Sequence, residues 1–281
     1  MPTRTILLPA IEPFDGESLL AFLGARAISG VEEVTAGTYR RSLPLERGGG
    51  VVTATVGAAG IGCELRLDHA ADADEAAARC RRLFDLDADP REVSSVLEGD
   101  PLLAEPVRRR PGLRVPGAVD GFELAVRAIV GQQVSVAGAR TVLGRLVAEH
   151  GEPLAEPRGG LTHLFPAPAA LAAADPGTFP FPRTRAAALV GVARLAAAGE
   201  IRLEPPADPA ETRAALRAVR GIGPWTASYI GMRALGDRDA FLPGDVGVRH
   251  ALARLGGEAD PERWRPFRSY AVMHLWRSLG S

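Results

Sequence analysis

The segment Arg217–Ile230 reads RAVRGIGPWTASYI, with Gly221 and Gly223 bracketing one isoleucine and Pro224-Trp225 directly after. Gly221 suits the left-handed residue that closes a helix ending at Arg220. Gly223 lets another backbone come close, and Pro224 presets the dihedral of a helix's first turn. The segment therefore predicts two helices, over 209–219 and 224–235, joined by a very tight turn. The upstream helix starts cleanly, with Asp208 as cap, Pro209 at the first helical position and Glu211 two residues later. The first amides of the downstream helix lack intrahelical partners and sit at the positive end of its dipole, so the turn is a ready phosphate site. An ordinary αα-hairpin uses similar spelling, and the helix beyond it separates the two readings. Ala227, Ile230 and Ala234 form a narrow small-residue face, while Trp225, Tyr229 and Met232 form a second face that is aromatic. An aromatic face beside a phosphate-binding turn suits stacking on a nucleobase.

The remaining composition sets bounds. A chain of 281 residues holds two or three compact domains. It has no apolar run long enough to span a bilayer, and the apolar stretch in MPTRTILLPAIEPF is too short for a secretory signal, so a cytoplasmic location in contact with the nucleoid is expected. Cys63 and Cys80 are too few for a disulfide framework and match no zinc or iron–sulfur spacing. Net charge is −1, but residues 1–100 carry 17 acidic and 10 basic side chains against 17 and 23 in residues 101–281. The second part is thus the one suited to an anionic partner. Every basic side chain is arginine; the chain contains no lysine, hence no lysine amine for Schiff-base chemistry.

The expected fold class is α+β. TRTILLP (3–9), VEEVTAGTYRRSL, GGVVTATV and IGCELRL read as four strands of a small antiparallel sheet. Two helices accompany it: Gly16 to Ile28, with Leu19, Leu20, Phe22 and Leu23 as its apolar face, and 72–86, opening on Asp72 as cap. From Asp89 onward no strand is expected, and helices fall near 90–98, 120–130, 134–149, 168–173, 184–198, 209–219, 224–235, 246–255 and 266–279, with Pro and Gly at the joints. The expected partition is an N-terminal sheet domain over 1–88, a helical domain over 120–237 holding the hairpin (209–235), and a second helical domain from 89–119 and 238–281 that closes a cleft. The acidic N-terminal domain offers no motif of its own and is expected to be structural.

GIGPWTA followed by FLPGDVGVRHAL (241–252) resembles the helix–hairpin–helix glycosylase superfamily, with its Gly/Pro-rich loop and following aspartate. ARAISGVEEVTAGTYRRSL, RLFDLDADP, PGLRVPGAVDGFELAVRAIVGQQVSVAGAR and WRPFRSYAVMHLWRSLG narrow the resemblance, over about residues 4–280, to 3-methyladenine DNA glycosylases II of the AlkA type. The resemblance implies a sheet-containing domain and two helical domains with the active cleft between them. It implies Asp245 as catalytic aspartate, and Trp225, Tyr229 and Trp276 as aromatics lining the base pocket. Gln133 stands where the family wedges a side chain, leucine in its best-known member, into the DNA stack. Gly221, Ile222 and Gly223 match the phosphate-binding hairpin, and the backbone carbonyls of Arg217, Val219 and Ile222 match positions that hold a structural monovalent cation, sodium or potassium. The implied partner is double-stranded DNA containing alkylated bases, bound by a monomer, with no required cofactor and no iron–sulfur cluster.

The chemistry asks for the same residue types. Asp245 follows Pro243-Gly244 at the start of a helix, where a plain capping role is commonest. A helix N-terminus also favours an ionised carboxylate, which is what a sugar turning cationic during N-glycosidic cleavage needs beside it. An alkylated purine already carries positive charge and leaves readily, so no strong general acid is required; His250 and His274 are the candidates near this segment, each read first as a surface or satisfied histidine. Relatives that also cut the strand use a hairpin lysine where this chain has Trp225, so the expected enzyme is monofunctional, leaving an abasic site. The rivals are a glycosylase for oxidised or deaminated bases and a non-catalytic binder of damaged DNA.

Overall fold

Burial alternates along β1 (Thr3–Pro9) and β5 (Gly60–Leu67) and runs continuously through the middle of β3 (Thr38–Leu45) and β4 (Gly48–Gly57), which sets the centre of the sheet against a core. With β2 (Glu32–Thr35) the order is β1-β5-β4-β3-β2, every neighbouring pair antiparallel. The computed structural model describes residues 3–256 and 259–280. Leu43, Val52, Ile61 and Leu65 of the sheet pack against Leu19, Leu20 and Leu23 of helix α1 (Gly16–Ala25) and Ala76, Cys80 and Leu83 of helix α2 (Ala73–Leu83).

Three sequence expectations change here. VEEVTAGTYRRSL is two strands, because Gly37 at φ +71 turns the chain into a β2–β3 hairpin. Helix α1 stops at Ala25, and Phe22 stands only partly buried beside its three buried leucines. Helix α2 ends at Leu83, since Asp85 adopts φ +50, and Asp72 does not cap it by its side chain; its carboxylate accepts the Arg47 N–H at 3.3 Å instead.

The rest of the chain is mainly helical: α3 (Pro90–Leu97), α4 (Ala104–Arg109), α5 (Gly121–Val130), α6 (Val136–His150), α7 (Pro168–Ala172), α8 (Arg183–Ala197), α9 (Pro209–Ala218), α10 (Pro224–Ala234), α11 (Val246–Leu255) and α12 (Arg268–Ser278). Helix α4 was not expected from a segment punctuated by prolines; Pro106 is tolerated because it lies in the first turn, where no N–H is needed. A two-stranded sheet of β6 (Pro153–Arg158) and β7 (Leu161–His163) also departs from the strand-free expectation. Its strands lack a continuous apolar face, and tertiary bonds hold it: Gly160 N–H donates to Glu33 Oε1 at 2.7 Å and Thr162 N–H to the Gly30 carbonyl at 2.8 Å. Helix α9 ends at Ala218, two residues before the expected Arg220, and Gly221 turns the chain at φ +97.

Two further cores follow. One gathers α5, α6, α8 and the buried faces of α9 and α10; the other joins Val93, Leu97, Leu103 and Val107 to Leu242, Val248, Trp264 and the body of α12. The sheet is fastened to α5 by a buried ionic cluster. Arg41 on β3 and Arg127 on α5 both bind Glu123, each at 2.6 Å, and Arg127 also binds Glu32 at 2.5 Å. Burial alone pushes the Glu123 carboxyl up, but the facing guanidiniums of Arg41 and Arg127 outweigh it and hold it down at about 2. No helix among the described residues is long and apolar enough to cross a membrane.

Candidate active site

Asp245 caps α11, its Oδ1 accepting the Val248 N–H at 2.8 Å. Asp245 is only 9% exposed, and two further donors reach its carboxylate. Trp276 on α12 donates its indole Nε1–H to Oδ1 at 2.8 Å, and Trp225 on α10 donates its own to Oδ2 at 2.8 Å. Tryptophan offers a donor and no acceptor, so both indoles demand an acceptor oxygen, which the Asp245 carboxylate supplies on each side. Gly247 makes the Trp276 contact feasible: a Cβ there would meet the indole Cδ1 at 2.9 Å.

The indole edges therefore face the carboxylate, and the rings line a cleft of about 750 Å³ together with Tyr229 and Asp245. Trp225 and Tyr229 stack, with centroids 5.1 Å apart and planes 11° apart; Trp276 stands 6.4 Å from Tyr229, tilted by 47°. One turn along α10, Arg233 fixes this wall. Its Nη1 donates to Tyr229 Oη at 2.7 Å, while Nε and Nη2 donate to the carbonyls of Pro116 and Gly117. Burial pushes the Tyr229 hydroxyl up, yet the guanidiniums of Arg233 and Arg26 pull it below its ordinary value. Met232, expected on the same aromatic face, points instead into the core shared with α12.

The N-terminal domain is more than a support. Helix α1 forms one wall of the cleft, presenting Ser18, Ala21, Phe22, Ala25 and Arg26. Arg26 lies 3.7 Å over the Phe22 ring, and Arg233 lies 4.9 Å from the same ring. Sequence reading missed this because Phe22 falls within the spacing of α1's apolar residues and gives no local sign that it faces another domain. Arg127 also lines the cleft, its charge answered by Glu32 and Glu123.

The histidines do not serve Asp245. His250 is exposed on α11; His274 is buried, and that burial, against a hydrogen bond with the Pro106 backbone, lowers it to about 4. Gln133 stands exposed at φ +55, flanked by Gly131, Val134 and Ser135 of the cleft lip. Left-handed backbone at a non-glycine residue costs about 1 kcal/mol and persists only where neighbours enforce it. At the hairpin, a Cβ on Gly223 would meet nothing within 4 Å among the described residues, so the space beside it is open. Val219 uses one carbonyl lone pair on the Ile222 N–H at 3.0 Å and keeps the other. Arg217 lies in the last turn of α9, Val219 at its C-cap and Ile222 within the turn that follows. Among the described residues no group of three or more His, Cys, Asp or Glu side chains is placed to hold a metal ion.

A family model described as the AlkA N-terminal domain matches residues 5–120. A probable bifunctional transcriptional activator/DNA repair enzyme AlkA of Mycobacterium tuberculosis is 43% identical over 284 residues, covering 99% of this chain and 57% of that protein. This chain thus spans little more than half of that relative's length. DNA-3-methyladenine glycosylase 2 of Escherichia coli is 38% identical over 278 residues, covering 95% of each chain. Among solved structures, a 3-methyladenine DNA-glycosylase from Archaeoglobus fulgidus superposes with a TM-score of 0.79 over 97% of both chains at 22% identity, a likeness of fold.

Proposed function

The chain belongs to the AlkA-type family of DNA-3-methyladenine glycosylases, and from that premise we propose that it is a monofunctional base-excision enzyme acting on alkylated bases in double-stranded DNA. The observation that carries this reading is the Asp245 carboxylate, held by two indole N–H groups at the side of an aromatic cleft. An extruded nucleotide would stack its base among Trp225, Tyr229 and Trp276 and bring its sugar to Asp245. Stacking at about 1–3 kcal/mol per ring offsets the few kcal/mol that extrusion costs, and a damaged pair costs least. Ring faces attract a cationic alkylpurine by about 0.5–2 kcal/mol each beyond that, which selects the damaged base over its neutral parent.

As the C1′–N bond breaks, its electron pair leaves with the base and positive charge develops on the sugar. Asp245 stabilises that charge electrostatically and positions the water that adds to C1′ and gives up a proton to bulk solvent. An alkylpurine departs as a neutral molecule, so no acid needs to stand opposite Asp245. Hydrolysis leaves an abasic site. Without any lysine in the chain, strand cleavage through a lysine imine has no nucleophile. Among the arginines of the cleft walls, Arg127 is neutralised by Glu32 and Glu123, and Arg233 is bound to two carbonyls and the Tyr229 hydroxyl. The free amides at the start of α10 and the turn Gly221-Ile222-Gly223 would grip a phosphate, with a sodium or potassium ion on the Arg217, Val219 and Ile222 carbonyls adding positive charge there. Gln133 would fill the gap left in the stack. The enzyme works as a cytoplasmic monomer and needs no other cofactor.

The test is chromatography of free bases released from methylated duplex DNA, with the strands analysed in parallel. The proposal requires 3-methyladenine in the supernatant and strands that break only after alkali. No release, or nicking that borohydride traps as a protein–DNA adduct, overturns it.

A further inference from the structure

Gln132 and Gln133 are identical neighbours in sequence, yet the fold gives them opposite surroundings. Gln132 turns inward, and its Nε2 donates to the Gly221 carbonyl at 3.1 Å and to Thr226 Oγ1 at 2.9 Å. A primary amide nitrogen carries two hydrogens, and both find an acceptor on the hairpin. Thr226 is buried in the first turn of α10, and Gly221 is the left-handed residue of the turn itself. Gln133 turns outward at φ +55, and its side chain makes no hydrogen bond among the described residues. The loop between them and α6 is pinned at both ends: Gly131 N–H donates to the Arg127 carbonyl at 2.9 Å, and Ser135 Oγ accepts the Gly138 N–H at 3.1 Å.

Resting on the functional reading above, we propose that Gln132 is a positioning residue that ties the wedge loop to the phosphate-binding hairpin. One carboxamide joins segments 89 residues apart, so that the turn gripping the backbone and the side chain entering the stack hold a fixed separation. Leucine fills a similar volume and offers no donor, asparagine is one methylene too short to reach both acceptors, and glutamate would set oxygen against oxygen.

The test compares wild type, Q132L, Q133A and Q132L/Q133A in single-turnover base release from one methylated strand, presented as duplex and as single strand. Entering a stack matters only in the duplex. Q132L is expected to slow duplex release about tenfold or more and single-strand release less than about twofold, since misplacing a group by about an ångström costs up to about a hundredfold. Because it acts through Gln133, Q132L should add less than about twofold to Q133A. T226V, which keeps the Gly221 bond, should fall between wild type and Q132L on the duplex. Equal losses on both substrates, an additive double variant, or wild-type duplex rates in Q132L overturn this inference while leaving the functional reading standing. A wild-type protein that releases base from neither substrate overturns that reading and this inference with it.

Discussion

Replacing Asp245 by asparagine is the usual way to remove a carboxylate's charge, and in this site the exchange is not isosteric in hydrogen bonding. Oδ1 accepts from Val248 and Trp276, and Oδ2 accepts from Trp225. An asparagine oxygen can take the first two, but its NH2 then faces the Trp225 Nε1–H at 2.8 Å, donor against donor. D245N is expected to lose about 1–3 kcal/mol of stability from that unmet pair, as a lower melting midpoint. D245N/W225F removes the conflicting donor and keeps an aromatic ring against Tyr229, so it should melt close to W225F alone. Activity should behave differently. A unit charge about 4 Å from a cationic sugar, at an effective dielectric of about 20, contributes about 4 kcal/mol, or about a thousandfold in rate. Single-turnover release of 3-methyladenine should therefore be about a thousandfold slower in D245N/W225F than in W225F. A double variant within about tenfold of W225F would refute the assignment, since charge loss is then the only difference that remains.

W225F itself removes one of three donors to the carboxylate and should slow base release about tenfold, as expected for a hydrogen bond to a charged group; an unchanged rate assigns Trp225 a stacking role only. In E123Q, Arg41 and Arg127 lose their shared anion, and the melting free energy at pH 7 should drop by about 3 kcal/mol. Glu123 is held at about 2 against an ordinary 4.5, so that stabilisation is complete above about pH 4.5 and fades as pH falls toward 2; a gap from wild type that widens on acidification contradicts this. Asp85 carries the opposite sign. Burial raises it to about 6 from an ordinary 3.8, so wild type loses stability as pH rises through 6. D85N retains an acceptor for the Val115 N–H and the Tyr270 hydroxyl and tolerates the left-handed backbone. It should gain on wild type by up to about 3 kcal/mol between pH 4 and pH 8 in urea titrations, and a pH-independent gap would exclude the effect.

The helices of the hairpin could be read from the chain because their ends are spelled locally: Asp208-Pro209 opens α9, Gly221 closes the turn, and Pro224 opens α10. The aromatic wall followed from the spacing of Trp225 and Tyr229, since four residues bring two side chains to one helix face. Met232 broke that pattern because the face three residues further round meets α12, a partner that helical spacing cannot reveal. The same limit hid the contribution of α1. Phe22 reads as one more apolar residue beside Leu19, Leu20 and Leu23, and only the docking of the sheet domain, through Arg41, Glu123 and Arg127, turns it to the cleft. The β6–β7 pair was invisible for a related reason: its order comes from bonds to Gly30 and Glu33, not from an apolar face of its own. That both indoles donate to one carboxylate is a fact of three dimensions that helical spacing does not reveal.

The meeting of a fixed negative oxygen with a sugar turning positive is most directly measured without turnover. Duplexes carrying a pyrrolidine ring, cationic at neutral pH, and a neutral tetrahydrofuran ring at the same abasic position differ in the charge that Asp245 is said to recognise. Wild type and W225F should bind the cationic ring at least about a hundredfold more tightly, as groups resembling a transition state are bound, and D245N/W225F should show less than about a threefold preference. Equal affinity for both rings in wild type, or a preference that survives loss of the carboxylate, would contradict the account.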